Sequence, residues 1–358
     1  DEGRCTDGKM TVSVTQSRWR PIGGHDLKDG RWHVPFCVRT LGDKRQTCHL
    51  LTEKRETFPM GACQPILPNA DGRGYFVWSL PASAIKALGQ EIQKLSEYDQ
   101  MNVMSNLQKL YESGHLGPMA VAKLGRKLMG SASPRIQMGA LNMIGRLGAL
   151  VEDEDIPAWR RYRMDLVKGL GALDVWRGQP DDARSLWDLK RAVLGIRGNA
   201  GHQKAAIDAA RLAVEAFLKK EVYSKEVMGT AMSIFAEHGS QADYDTLRQA
   251  FLGEEETSRR RLLLRGLTGF RVPGMVQAMH SLLTDTRTKA NERSRILWAL
   301  ARDYRTRAKA WVWLKANFDA LRKILPRGRG KRLPFFPVGA CSQEILDDMT
   351  SFFAPYAS

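Results

Sequence analysis

The stretch AWVWLKANFDALRKILP, residues 310–326, places its large apolar side chains along one side of a helix. They are spaced three and four residues apart, at Trp311, Leu314, Phe318, Leu321 and Leu325. This spacing predicts a single amphipathic helix, which Pro326 ends because proline disfavours helical geometry in the residue before it. Such a stripe needs an apolar partner, and we expect the preceding helix, around residues 296–300, to supply it.

The same helical periodicity extends far upstream of this segment. Helical runs begin near His202, Ala242, Pro273 and Arg307, and each interval between them holds two short helices. Helix pairs repeating at roughly 30 to 40 residues are typical of HEAT- and armadillo-like stacks, since each pair buries its apolar face only against its neighbours. The sequence therefore predicts a helical superhelix, or bowl. An irregular helical domain without true repeats is the alternative.

Before Pro81 the apolar residues alternate instead of recurring every third or fourth position. KMTVSV at 9–14 and WHVPFCV at 32–38 each place apolar side chains on one face, and GYFVW at 74–78 is expected to form the last strand. Pro35 cannot donate a ladder hydrogen bond, so its strand should be at an edge or bulged there. We expect a multidomain β + α protein, with a small antiparallel β-sandwich over residues 1–80 and a helical-repeat domain over 81–358.

Charge and cysteine content narrow the range of functions. The formal net charge of +16 favours anionic partners, although a merely soluble surface explains it equally well. No apolar run approaches the about 20 residues that cross a bilayer, so no membrane span is expected. The early cysteines form no C-x-x-C zinc pair, and the expected disulfide joins Cys48 and Cys63 on neighbouring predicted strands. This bridge indicates a periplasmic or secreted protein; buried free thiols are the alternative.

The sequence offers no recognisable catalytic constellation. It lacks an H-E-x-x-H zinc helix, a phosphate-binding P-loop and a G-x-S-x-G nucleophile elbow, so we assign it no catalytic residue, metal ligand or cofactor. Basic residues are the remaining candidates for binding. Bidentate hydrogen bonds from arginine suit a peptide's terminal carboxylate. The candidates are Arg260, Arg261, Arg265, Arg295 and Arg329. A solvated face and contacts to nucleic-acid phosphates are the alternatives.

The order of several segments resembles the C-terminal half of the aminopeptidase N family of gluzincin zinc metallopeptidases. VTQSRW at 14–19, WHVPFCVR at 32–39 and LPNADGRGYFVW at 67–78 resemble the third, β-sandwich domain, with Phe76 replacing the second tyrosine of its closing strand. RRRLLLRGLTGFRVPGMVQAMHSLL at 259–283, the stretch at 310–326 and GACSQEILDDMTSFF at 339–353 resemble the helical domain.

The resemblance implies a non-catalytic part of a zinc aminopeptidase. In that family the zinc belongs to a preceding catalytic domain, whose motifs this sequence does not contain. The helical bowl covers the active-site chamber and contacts the distal part of the peptide. The implied partners are therefore the N-terminal catalytic domain of the same polypeptide and peptide substrates, and this chain alone should be inactive. The alternative function is a basic helical-repeat scaffold that binds protein or nucleic acid, of which nucleic acid is the less favoured partner.

Overall fold

The structure is a computed structural model of the 358-residue chain. It describes residues 3–24, 28–43, 45–170, 184–221, 225–271, 274–302, 304–325, 333–334, 336 and 342–356. Within these residues, strands occur only up to Pro68 and α-helices only from Ala82 onward. The change from period-two to helical patterning in the sequence therefore corresponds to the change in structure.

The N-terminal strands form two small antiparallel sheets with orders β1-β2-β5 and β4-β3-β6. Their bounds are β1 (Gly3–Thr6), β2 (Lys9–Thr15), β3 (Val34–Thr40), β4 (Thr47–Leu51), β5 (Arg55–Ala62) and β6 (Ile66–Pro68). The predicted alternation is confirmed where it matters most, because Val12 of β2 and Val38 of β3 are both buried in a shared core. That core closes a sandwich between the sheets.

Pro35 is tolerated because β6 is short. Although β3 is the central strand of its sheet, β6 pairs only with Val38 to Thr40. Pro35 pairs with Leu50 of β4 on its other side. At this level β3 is locally an edge strand, so the missing N–H leaves no partner unsatisfied.

Residues 74–78 do not form the predicted last strand. The final strand is β6, and this segment is held by side chains of helix α2 (Glu97–Glu112). The Trp78 N–H donates to Asn106 Oδ1 at 2.9 Å, and Asn106 Nδ2 donates to the Trp78 carbonyl at 2.6 Å. A buried asparagine thus replaces a neighbouring strand as the hydrogen-bonding partner, which an apolar alternation pattern does not reveal.

Asp99 lies two turns before Asn106, on the face of α2 that faces this segment, and it connects the sandwich to the helices. Its carboxylate is fully buried and accepts from the Arg39 guanidinium of β3, from the Ser96 hydroxyl and from the Asp71 N–H. Asn102 of the same face donates to the carbonyl of Asn69 at 2.7 Å. We call Asp99, Asn102 and Asn106 the polar face of α2. It fixes the chain over residues 69–78.

The remainder of the described chain is helical. The helices are α1 (Ala82–Glu91), α2 (Glu97–Glu112), α3 (Pro118–Leu128), α4 (Pro134–Arg146), α5 (Ile156–Val167), α6 (Arg184–Gly195), α7 (Lys204–Leu218), α8 (Lys225–Glu237), α9 (Gln241–Gly253), α10 (Thr257–Leu267), α11 (Met275–Thr284), α12 (Ala290–Arg302), α13 (Tyr304–Ala316), α14 (Phe318–Ile324) and α15 (Gln343–Phe353). Each of the four predicted helical runs begins within a few residues of its expected start, at α7, α9, α11 and α13. Two short helices occupy each of the intervals that begin at α7, α9 and α11, and the two helices of each of these intervals pack together. The superhelical bowl stays a prediction.

The stretch at 310–326 forms two helices rather than one. All five residues of its apolar stripe are buried, as predicted. Asn317, however, leaves helical geometry at φ −119° and ψ 16°, so that α13 ends and α14 begins there. Its side-chain amide donates to the Trp313 carbonyl at 2.9 Å. Asparagine competes for backbone partners in this way, which explains the interruption.

The stripe has partners on two helices. α13 packs against the preceding α12, as predicted. It also contacts α15, which the spacing did not indicate: the Trp311 indole N–H donates to Asp348 at 2.7 Å, and the ring lies edge-on to Phe352. Lys315 bonds the same carboxylate at 2.6 Å. The polar edge of α13 therefore anchors the C-terminal helix.

The predicted disulfide between Cys48 and Cys63 is wrong. The structure pairs Cys5 with Cys63 and Cys37 with Cys48. Cys48 is on β4 and Cys63 follows β5, and these strands, although consecutive in the chain, belong to different sheets. Cys37 and Cys48 are on paired strands of one sheet, and Cys5 of β1 bonds to Cys63, which directly follows β5 of the same sheet.

Contacts divide the chain into two compact units, residues 1–159 with 183–189 and residues 160–182 with 190–358. The first contains both sheets and α1 to α4, and the second contains α7 to α15. Among the residues that the structure describes, every helix is too short or too polar to span a lipid bilayer.

Candidate functional site

The arginines of α10 fall on two faces of the helix. Arg260 is three, four and seven residues before the buried Leu263, Leu264 and Leu267, so it shares their face and points inward. Arg261 and Arg265, four residues apart, lie on the exposed face. The leucine spacing in the sequence already distinguishes Arg260 from its neighbours. The prediction treated the consecutive arginines as one group and therefore did not separate the inward residue from the exposed ones.

Arg260 is a structural cation rather than an available ligand. Its Nε and Nη2 form a bidentate pair with Glu292 of α12, both at 2.8 Å. Nη1 donates to the carbonyls of Phe251 and Glu254, and Nη2 also donates to that of Arg287. The five N–H groups of a guanidinium are thereby all used. The structure therefore does not support Arg260 as a binder of peptide carboxylate.

The acid that receives Arg260 also organises the start of a helix. Glu292 accepts from the backbone N–H of Lys289, in the first turn of α12. Burial by itself raises the pKa of Glu292, but the bonds from Arg260 and Lys289 outweigh it and hold that pKa below the usual value. The same arrangement occurs 49 residues earlier, where Arg211 of α7 forms a bidentate pair with Asp243, the capping-box acid of α9. These ion pairs stabilise helix packing.

Arg265 stays a predicted binder of peptide carboxylate. Its side chain is exposed, yet its guanidinium lies against α8, with Nη1 3.0 Å from the position that a Cβ on Gly229 would occupy. Partial burial, and then the positive charge of Arg191 on α6, lower the pKa of Arg265. The positive charges of Arg191 and Arg265 therefore lie close enough together for each to disfavour the other.

Arg261 and Arg295 are exposed and form no ion pair with any described residue. Arg261 is one helical turn from Arg265, whereas Arg295 lies on the outer side of α12 relative to the buried Ile296 and Leu297. No contact joins Arg295 to Arg261 or Arg265 among the described residues. Arg329, the remaining candidate, lies outside the described residues.

A cavity that sequence reasoning missed lies beside the end of α6. α6 continues into a π-helical turn, Ile196–Ala200, and the cavity, of about 340 Å³, is bordered by Lys168 and Arg197. The ring of His238 contacts the Gly198 carbonyl of this turn at 2.9 Å. π-turns are uncommon and often occur at functional sites. The sequence signal for it is weak, because only the Gly-Asn-Ala-Gly run at 198–201 departs from helical composition.

No metal centre is assembled within the described ranges. There, no three His, Cys, Asp or Glu side chains lie close enough together to hold an ion. The described residues therefore do not fit the zinc that the family resemblance implies for a catalytic domain.

Comparison with known proteins decides the family. Residues 65–358 match the model of the ERAP1-like C-terminal domain. The chain belongs to the ERAP1-like C-terminal domain family. The match begins just before β6 and includes every helix that the structure describes, so this ERAP1-like C-terminal domain contains Arg261, Arg265 and the polar face of α2.

Two curated aminopeptidases are similar to the chain. Aminopeptidase 2, mitochondrial, of Saccharomyces cerevisiae and Aminopeptidase 2 of Candida albicans are each 22% identical to it over 363 residues, which covers 97% of the chain. The chain spans only 37% and 39% of these relatives. The predicted membership in an aminopeptidase family is confirmed, and the chain corresponds to the C-terminal region of such a protein.

Proposed function

We propose that this chain is the non-catalytic C-terminal region of a zinc aminopeptidase. In this role it adjoins an N-terminal catalytic domain of the same polypeptide, covers the active-site chamber and contacts the distal part of the peptide. The family match over residues 65–358 carries the proposal. The relatives are more than twice as long as the part that this chain matches, which is long enough to include a catalytic domain.

The chain alone is expected to be inactive. Incubation with zinc and amino-acid anilides should give no release of the aromatic amine above background. Turnover that a chelator removes would contradict the proposal, since it would mean that this chain supplies its own catalytic metal.

We assign the distal peptide contact to Arg265, with Arg261 one turn away. An anion beside Arg265 would offset the repulsion from Arg191, and the C-terminal carboxylate of a peptide is such an anion, which arginine binds through charge-assisted hydrogen bonds. Fluorescence anisotropy with one labelled peptide, carrying either a free carboxylate or an amide at its C-terminus, tests this contact. Amidation should weaken binding by about tenfold or more, because hydrogen bonds to charged groups contribute about 1.5–3 kcal/mol.

A matched pair of variants separates this site from general charge attraction. Arg261→Ala with Arg265→Ala should abolish the preference for the free carboxylate. Arg135→Ala, which removes an exposed cation from α4, should leave it unchanged. If both changes alter the preference for the free carboxylate equally, Arg261 and Arg265 are merely solvated side chains.

The net charge of +16 supports one other candidate function, a scaffold for nucleic acid. In that case a gel shift with an oligonucleotide would weaken steeply between 50 and 200 mM salt, roughly as counterion release requires. Peptide binding that depends on the C-terminal carboxylate, together with no such gel shift, would favour the aminopeptidase role.

We also propose an oxidising location, periplasmic or secreted. The two disulfides support it, because such bonds persist in oxidising compartments. Mass spectrometry of the protein, alkylated immediately on extraction from its native cells, should find Cys5 and Cys63 blocked. Free thiols at both positions would contradict this location.

A further inference from the structure

The two disulfides occupy different places in the sandwich. Cys37 and Cys48 are directly opposite each other on β3 and β4, with Cα atoms 4.0 Å apart. Cys5 is paired in its sheet with Met10, and its disulfide reaches instead to Cys63, beyond the end of β5, over a Cα distance of 5.8 Å. The Cys37–Cys48 bond therefore joins two paired strands, whereas the Cys5–Cys63 bond joins edge strand β1 to the chain that follows the other edge strand, β5.

Cys37 and Cys48 form a non-hydrogen-bonded pair. The Cys37 carbonyl accepts from the N–H of Asn69, on the β6 side, at 2.8 Å. The N–H and C=O of one strand residue point to the same side, so neither is directed at β4. Opposite residues in such pairs have Cα atoms about 4.5 Å apart, and disulfides usually connect Cα atoms about 5.5–6 Å apart. The bond thus holds the two strands closer than either the sheet or the disulfide prefers.

Access to the two sulfurs is unequal. Cys48 is exposed on β4, which is an edge strand, whereas Cys37 is half-buried on the central strand. An attacking thiolate must approach a sulfur from outside, so Cys48 is the sulfur of this bond that it reaches. Cys5 is likewise exposed, on the edge strand β1, so access selects the sulfur that is attacked and the short Cα distance selects the bond.

We propose that Cys37–Cys48 is a site of thiol–disulfide exchange that small dithiols and thiols reduce before Cys5–Cys63. A thiolate of the reagent attacks Cys48 Sγ and forms a mixed disulfide. The Cys37–Cys48 bond breaks, and its electron pair leaves on Cys37 Sγ, which takes a proton from water. With a dithiol, the second thiolate then displaces Cys48, so that the protein gains two thiols and the reagent becomes a cyclic disulfide.

The fold should survive this reduction. The two cysteines are only 11 residues apart in the sequence, and the pairing of β3 with β4 holds them near each other without the disulfide. The Cys5–Cys63 bond, with a separation of 58, still constrains the sandwich. The exchange site is therefore a reversible modification point rather than the bond on which folding depends.

Differential alkylation of the whole chain tests the order of reduction. The protein is equilibrated with mixtures of reduced and oxidised dithiothreitol, quenched in acid and alkylated, and each cysteine is quantified by mass spectrometry. Half-labelling of Cys37 and Cys48 should require at least a tenfold lower ratio of reduced to oxidised reagent than that of Cys5 and Cys63, with the circular dichroism unchanged. Simultaneous reduction of both pairs, or earlier reduction of Cys5–Cys63, overturns the proposal.

A second measurement tests which sulfur is attacked. After brief exposure to excess glutathione and an acid quench, the mixed disulfide should be found on Cys48 at least ten times more often than on Cys37. The reverse ratio overturns the assignment. The variant Cys5→Ser with Cys63→Ser is the control, since its remaining bond should exchange at the wild-type rate. If that bond exchanges at least tenfold more slowly, the reactivity belongs to the other pair and the proposal is wrong.

Discussion

Replacement of Arg260 by alanine should destabilise the helical region more than any other change to the basic run of α10. The substitution removes five hydrogen bonds at once. It leaves the carboxylate of Glu292, a residue that is only 8% exposed, without its cation. The backbone carbonyls of Phe251 and Glu254 also lose a donor.

The cost follows from the buried charge. Removal of one partner of a buried ion pair costs about 3–5 kcal/mol, because the other partner stays desolvated and uncompensated. That loss is a large fraction of the about 5–15 kcal/mol by which a domain is stable. Replacement of both partners, Arg260→Met with Glu292→Leu, removes the stranded charge and should cost less than Arg260→Ala alone.

Urea unfolding followed by circular dichroism measures these losses, and hydrogen exchange of α10 and α12 locates them. Arg261→Ala is the matched control, because it removes the same charge one residue away on the exposed face. A surface change of this kind should alter the free energy of unfolding by no more than about 0.5 kcal/mol.

Equal losses for Arg260→Ala and Arg261→Ala would refute the reasoning. So would a double replacement that is more destabilising than the single one, because the stranded charge of Glu292 would then not be the cause. Unchanged exchange protection in α12 would likewise show that the pair does not hold α10 and α12 together.

Three further predictions concern single side chains. His280 is stacked on Trp313, and neither of its ring nitrogens has a hydrogen-bond partner. Burial lowers the pKa of His280 to about 4. As the pH falls below about 6.5, the unfolded chain therefore takes up a proton before the folded chain does. Between pH 7 and 4.5 wild type should therefore lose about 2–3 kcal/mol more unfolding free energy than His280→Phe, and parallel pH profiles would contradict this. Asn106→Ala should cost about 1–3 kcal/mol in urea unfolding, since both backbone groups of Trp78 lose their partner, whereas an unchanged midpoint would mean that water replaces them. The hydrogen bonds from Arg211 lower the pKa of Asp243 to about 2, and a lowered carboxyl pKa contributes stability that is lost as the pH falls towards that value. Asp243→Asn should thus cost about 1–2 kcal/mol at pH 7 and progressively less in acid, as titrated unfolding curves would show.

The sequence predicted the parts of this fold that depend on local periodicity. The buried Val12 and Val38 followed from alternation, and the helix starts at α7, α9, α11 and α13 followed from the spacing of apolar residues. Both patterns repeat over many positions, so a single exception does not hide them.

The errors arose where one polar side chain outweighs such a pattern. Asn317 divides the stretch that looked like one helix, and Asn106 supplies the partner that a strand at 74–78 would have needed. The disulfide partners could not be read from spacing, because the assignment of Cys48 and Cys63 to different sheets is a long-range property. In the candidate site, the inward position of Arg260 was readable from Leu263 and Leu267, whereas the proximity of Arg191 to Arg265 depends on how α6 and α10 pack.

The polar face of α2 has a practical consequence for dissecting the molecule. In a shortened protein that begins at residue 81, Asp99 would lose its bonds from Arg39 and Asp71 and keep only the one from Ser96. Asn106 would lose both of its bonds to Trp78, and the apolar surface beneath the sandwich would be exposed to solvent. The separated sandwich would in turn lose the groups that pin Trp78. Expression of either half is expected to give aggregated material, so the smallest soluble piece of the N-terminal region should retain the sandwich together with at least the second helix.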